Sequence, residues 1–86
     1  MMNFNYIIKD EMGIHARPAG LLVKLVKSQD SKVTITKGEK TVDASKIFAV
    51  MGLAVKCGEE IIITVDGGTD ENKNLMTIKE FVMNNL

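Results

Sequence analysis

An α+β fold, with helices covering one face of a mainly antiparallel sheet, is predicted by three observations on the sequence. Segments of strand and helix character follow one another in the order β-α-β-β-α-β-α. The two middle strands are joined by a tight turn around Gly38. The segment "EEIIITVDGG" is β-branched enough to lie inside the sheet rather than at its edge. The 86 residues have room for one core, so residues 1–86 are expected to form a single domain, and the 45% apolar content suffices to build it.

Each element has its own signal. Phe4, Tyr6 and Ile8 alternate with Asn3, Asn5 and Ile7, the period of a half-buried strand, which ends in the polar turn "KDEMG". From about Ala16 to Pro18 a helix begins, with Leu21, Leu22, Leu25 and Val26 as its apolar stripe and Lys24, Lys27 and Ser28 on the other side. Val33 and Ile35 alternate with Thr34 and Thr36, the chain turns at Lys37 to Glu39, and a strand resumes through Thr41 and Val42. "SKIFAVMGLAV" predicts a short amphipathic helix, capped by Ser45 or Asp43 and loosened near Gly52. After the β-branched strand and Gly67–Gly68, a last helix is expected with Thr69 as its cap, Asp70 and Glu71 at its positive end, and Leu75, Ile78 and Val82 buried.

Composition narrows the function. Eleven basic and eleven acidic residues leave no net pull toward nucleic acid or an anionic membrane. Cys57 is alone and has no internal disulfide partner, the N-terminal residues lack the pattern of a secretory signal, and no apolar run approaches a membrane span. A cytoplasmic protein without direct membrane insertion is expected. No phosphate-binding G-x-x-x-x-G-K-[ST] loop and no G-x-S-x-G elbow is present, and one histidine with one distant cysteine makes no metal set. Scattered carboxylates such as Asp10, Glu11 and Asp70 lack the spacing of a metal site. Neither a metal nor another cofactor is expected.

The chemistry concentrates in "MGIHARPAGLLVKLV", residues 12–26, which holds the only histidine and the only proline. Proline suits the first turn of a helix, because its φ is fixed and it has no N–H to satisfy. A helix start normally carries Ser, Thr, Asp or Asn to accept the free N–H groups, yet His15, Ala16 and Arg17 stand there. Open N–H groups at the positive end of a helix form an anion site, and Arg17 adds a permanent charge with planar donors. The same two features favour a neutral, nucleophilic imidazole at His15. Such a histidine is suited to becoming phosphorylated, the new dianion falling among prepared donors. A lone histidine in a small domain is also often an ordinary surface or core residue, and local chemistry leaves both readings open.

"GIHARPAG" resembles the active-centre signature of the HPr family, the histidine-containing phosphocarriers of the bacterial phosphoenolpyruvate-dependent sugar phosphotransferase system. "KTVDASKIFAVMGL" and "GEEIIITVDGGTDE" resemble the second and third signatures, and the likeness runs roughly from Phe4 to Val82. The resemblance implies an open-faced β-sandwich of four antiparallel strands and three helices. It also implies that His15 accepts the phosphoryl group on Nδ1 with assistance from Arg17, that enzyme I is the donor, and that sugar-specific IIA domains are the acceptors. With no phosphate donor of its own, the chain is expected to be a carrier rather than an enzyme with independent turnover. A carrier needs a modest phosphate site, because each ~1.4 kcal/mol of extra stabilisation of the phospho-form opposes onward transfer about tenfold.

Carriers need docking surfaces. Ile47, Phe48 and Met51 share one helix face and match the exposed apolar patch of the family, the alternative being that they are core. Lys24 and Lys27 offer a basic rim toward an acidic partner, unless they are merely solvated. Gly20 keeps the helix surface flat near His15. Two departures stand out, one in the second signature and one at Met12. Lys46 occupies the position at which many relatives from low-GC Gram-positive bacteria carry a regulatory serine, so this surface is expected to behave permanently as the unphosphorylated form toward enzyme I. Ser45, one place earlier, is either a helix cap or a displaced kinase target. Met12 replaces a small polar residue that could hydrogen-bond near the active centre, so the phosphohistidine lifetime is expected to differ. The rival function is a regulatory module that docks partners without passing phosphate, and a monomer is the expected state.

Overall fold

The computed structural model describes residues 1–86. Its elements are β1 (Met2–Ile7), α1 (Ala16–Lys27), β2 (Lys32–Lys37), β3 (Lys40–Asp43), α2 (Ile47–Gly52), β4 (Glu60–Asp66) and α3 (Glu71–Asn85), the expected order. The four strands form one sheet in the order β1-β4-β2-β3, every pairing antiparallel. The β-branched strand β4 therefore lies in the interior of the sheet. Phe4 faces Ile63, which also faces Ile35 on the other side, and Val65 pairs with Val33. Alternation puts Ile61, Ile63 and Val65 into the core and leaves Ile62 and Thr64 half-buried on the open face. The turn from β2 to β3 spans two residues, with Gly38 at φ +59, a conformation that glycine enters without a Cβ penalty.

The three helices pack over one face of this sheet, α1 against both α2 and α3, and α3 against β1 and β4. Leu22, Ile78, Val82 and Val50 reach into one apolar cluster with the inward strand residues. Full burial of each such side chain stabilises the fold by roughly 1.5–3 kcal/mol. No helix is long and apolar enough to cross a membrane.

Four local expectations are corrected. On α1 the buried residues are Pro18, Ala19, Leu22, Val23 and Val26, whereas Leu21 is 46% exposed. The core-facing stripe is rotated so that Leu21 turns outward. Ser45 does not cap α2: Lys46 holds the cap position without a side-chain bond, while the Ser45 hydroxyl donates to Asp43 Oδ1 at 2.7 Å. That oxygen also accepts from the Ser45 N–H, so Asp43 closes the preceding turn and not the helix. Gly52 remains within α2, and the left-handed residue beyond it is Ala54 at φ +50. There Lys37 Nζ donates to the carbonyls of Leu53 and Ala54, satisfying carbonyls at the end of α2. Finally, Asp70 rather than Thr69 caps α3, accepting from the Lys73 N–H at 3.0 Å, because the Thr69 hydroxyl and N–H both donate to Asp30.

Candidate functional site

The start of α1 is as open as the sequence predicts. His15 is the N-cap, with φ −106° and ψ −178°, and its side chain makes no capping bond. The first intrahelical bond runs from the Ala19 N–H to the His15 carbonyl at 3.0 Å. Ala16, Arg17 and Pro18 precede it in the helix, and proline has no N–H, so the free donors are those of Ala16 and Arg17. No acidic residue stands in the first turn to neutralise them. The positive end of the helix dipole therefore faces solvent beside the imidazole.

Pro18 is buried while Ala16 and Arg17 are exposed, so the proline anchors the turn and leaves the donors outside. An open cleft of about 170 Å³ follows, lined by Asp10, His15, Arg17, Pro18, Leu21 and Asn85. His15 is about one-third exposed, its side chain at 32%. None of the ion pairs of the fold engages Arg17, which leaves its guanidinium available to an anion in the cleft.

Sequence reasoning placed His15, Ala16 and Arg17 together and missed Asp10. The Asp10 Oδ2 lies 3.6 Å from His15 Nε2, too long for a hydrogen bond but close enough for the carboxylate to act on the ring through its field. Asp10 reaches this place through a tight turn in which the Gly13 N–H donates to the Asp10 carbonyl at 2.9 Å. Gly13 has φ +67, and a Cβ there would overlap the Val55 carbonyl oxygen, so only glycine lets the turn press so closely on the loop before β4. The next residue, Ile14, is buried and donates its N–H to the same carbonyl. From α3, the Leu86 main-chain oxygen accepts from the N–H groups of Lys9 and Asp10, which brings Asn85 into the cleft. The "KDEMG" segment was legible as a turn, but the direction in which that turn aims Asp10 is not a local property.

The docking residues divide by depth. Phe48 is 87% exposed and Met51 is 38% exposed, while Ile47 is half-buried and packs against the core. Gly20 meets this group directly, because a Cβ built on it would lie 3.6 Å from Ile47 Cδ1. The flat helix surface at Gly20 thus seats α2 on α1. Lys24, Lys27 and Lys46 are all exposed. Met12 is 71% exposed on the Asp10 turn, where its N–H donates to Asp10 Oδ1 and its thioether adds apolar surface. Ser45 is half-buried beside Asp43, whose carboxyl the Ser45 hydroxyl and then its N–H hold below the usual value.

A family model described as the phosphorylation site of the HPr component of the phosphotransferase system matches residues 2–84. The chain is 40% identical over 80 residues to the phosphocarrier protein HPr of Mycoplasma capricolum, a match that covers 93% of this chain and 89% of that protein. Among solved structures, a mycoplasma histidine-containing phosphocarrier protein superposes with a TM-score of 0.91 at 37% identity, covering 96% of this chain and 93% of its own. The Crh protein of Bacillus subtilis, solved as a domain-swapped dimer, matches with a TM-score of 0.76 at 30% identity, covering 100% of this chain and 98% of that one.

Proposed function

From the premise that the chain belongs to the HPr family of phosphocarriers, we propose that His15 is the residue that carries the phosphoryl group. The protein is a phosphocarrier of the phosphotransferase system, with the antiparallel sheet and three helices of that family. The observation that carries the assignment of His15 is the uncapped helix start: a partly exposed imidazole beside two unoccupied N–H donors and an unpaired arginine.

In this reading phosphorus bound to the ring sits where a capping oxygen would otherwise stand. Its oxygens accept from the N–H groups of Ala16 and Arg17, and the Arg17 guanidinium balances the remaining charge. Two amides and one exposed arginine hold the group without enclosing it, so it stays accessible to the next acceptor. Enzyme I is read as the donor and sugar-specific IIA domains as the acceptors, docking over Phe48, Met51 and the half-buried Ile47. Lys24, Lys27 and Lys46 are exposed and add positive charge on α1 and at the start of α2, which speeds encounter with acidic surfaces. Gly20 supports the patch from below through Ile47.

Ser45 is read as a structural residue rather than a kinase target. Its hydroxyl already donates to Asp43, and a phosphoryl group there would set a dianion against that carboxylate. We read the carrier as a cytoplasmic monomer of one domain, 1–86, supported by a core cluster to which all seven elements or their adjoining loops contribute. The dimer of Crh is a property of that protein.

The test is to incubate the protein with enzyme I and phosphoenolpyruvate and measure intact mass. One added phosphate that is lost in acid is expected for the parent, and none for His15→Asn. An adduct that survives in the variant places the chemistry elsewhere.

A further inference from the structure

We infer that Asp10 is a positioning residue for the phosphoryl relay: the charge of its carboxylate biases the proton of the His15 ring to Nε2, leaving the Nδ1 lone pair free to take phosphorus. The inference rests on the assignment of His15 as the carrier residue and adds what selects the nitrogen.

One bond fixes the Asp10 carboxylate and two fix the backbone that carries it. Its Oδ1 accepts from the Met12 N–H at 2.9 Å, its backbone N–H is tied to the Leu86 main-chain oxygen at 2.8 Å, and its carbonyl accepts from the Gly13 N–H at 2.9 Å. With Oδ1 so engaged, Oδ2 is the oxygen that faces the imidazole, 3.6 Å from Nε2. An ionised carboxylate only accepts, and a neutral imidazole has one donor nitrogen and one acceptor nitrogen. Although 3.6 Å is too long for a hydrogen bond, a negative oxygen facing Nε2 favours an N–H there over a lone pair, so Nε2 is the protonated nitrogen and Nδ1 carries the lone pair. The remaining charged group lining the cleft is Arg17, a permanent donor that also favours an unprotonated nitrogen turned toward it; α3 contributes the neutral Asn85.

The transfer then balances without moving a proton. The Nδ1 lone pair forms the bond to phosphorus as the bond from phosphorus to the donor breaks, its electron pair leaving with the donor. The ring becomes an N-phosphoimidazolium that keeps its Nε2 proton, and its positive charge lies against Asp10. On discharge the acceptor's electron pair attacks phosphorus, the pair of the breaking bond returns to Nδ1, and the ring is neutral with Nε2 still protonated. At metal sites, a partner that orients an imidazole through its far nitrogen contributes about one or two powers of ten, and the same order is expected here.

Asp10→Asn is the discriminating variant. Its amide oxygen can keep the bond from the Met12 N–H, which sets the NH2 group, a donor, against Nε2. The proton should then shift to Nδ1 and block the nucleophile. In the unphosphorylated protein, ¹⁵N chemical shifts of the His15 ring report the tautomer directly. The expected result is a predominantly Nε2–H ring in the parent, a majority of Nδ1–H in Asp10→Asn, and phosphoryl acceptance from enzyme I slowed by about tenfold. Asp10→Glu, which retains the charge, should recover the Nε2–H tautomer. An unchanged tautomer and rate in a folded Asp10→Asn protein overturns the inference. A parent protein that takes no phosphate on His15, whatever its tautomer, overturns instead the assignment on which it rests.

Discussion

The first turns of α1 and α3 begin in opposite ways. At α3 carboxylates meet the positive end: Asp70 accepts from the Lys73 N–H, and Glu71 takes the Gly67 N–H and the Met1 ammonium, although the N–H groups of Glu71 and Asn72 have no partner. Asp30 accepts from the Thr69 N–H and hydroxyl and from the Asn74 amide. At α1 His15 offers no cap, no acid stands in the first turn, and the N–H groups of Ala16 and Arg17 face an open cleft. One helix start has a side-chain cap on its third N–H and acids that offset its dipole. The other has neither cap nor acid, so its positive end favours an anion.

The largest effect separating the two follows from supplying the missing cap. His15→Asn should abolish phosphoryl acceptance and at the same time raise stability by about 0.5–1 kcal/mol, since asparagine is a good N-cap. Urea denaturation measured alongside the mass assay checks both halves, and a loss of stability would mean that the open start is not a sacrifice of helix capping. At the other helix the reverse holds. Asp70→Ala should destabilise the protein by about 1 kcal/mol while leaving the rate of phosphoryl acceptance unchanged. A slowed rate in a folded Asp70→Ala protein would erase the division of labour.

The smallest effect is in acid. Hydrogen bonds from the Thr69 hydroxyl, then its N–H, then the Asn74 amide hold the Asp30 carboxyl at about 2, against an ordinary value of 3.8. A carboxyl lowered on folding contributes its full stabilisation above the ordinary value and loses it as the pH falls toward the folded one. The parent should therefore lose melting temperature between about pH 4 and pH 2 more steeply than Asp30→Ala, the two curves converging at the acid end. Parallel curves would show that these hydrogen bonds do not tie Asp30 to the fold.

The same contrast explains what could be read from the sequence. The order of elements follows from hydrophobic period and turn residues, which are local, and the interior place of β4 follows from the run Ile61, Ile62, Ile63. The anion site was legible because it is also local: the absence of a capping residue next to Pro18 is written in three consecutive positions. Caps chosen by residue type alone failed at Ser45 and Thr69, because a carboxylate outside the helix claims each hydroxyl first, Asp43 through a short turn and Asp30 from a distant loop. Asp10 escaped notice for a related reason. It meets His15 only because Gly13 at φ +67 folds the turn onto Val55 and the Leu86 main-chain oxygen holds its N–H, and both are tertiary contacts.

The central claim is that the N–H groups left free at the start of α1 receive the phosphoryl oxygens. Backbone amide ¹H and ¹⁵N shifts recorded before and after phosphorylation by enzyme I test it directly. Large downfield movements of the Ala16 and Arg17 amide protons, with Lys73 at the start of α3 unmoved, are the predicted result. Phosphorylation of His15 that leaves the amides of Ala16 and Arg17 where they were would contradict it.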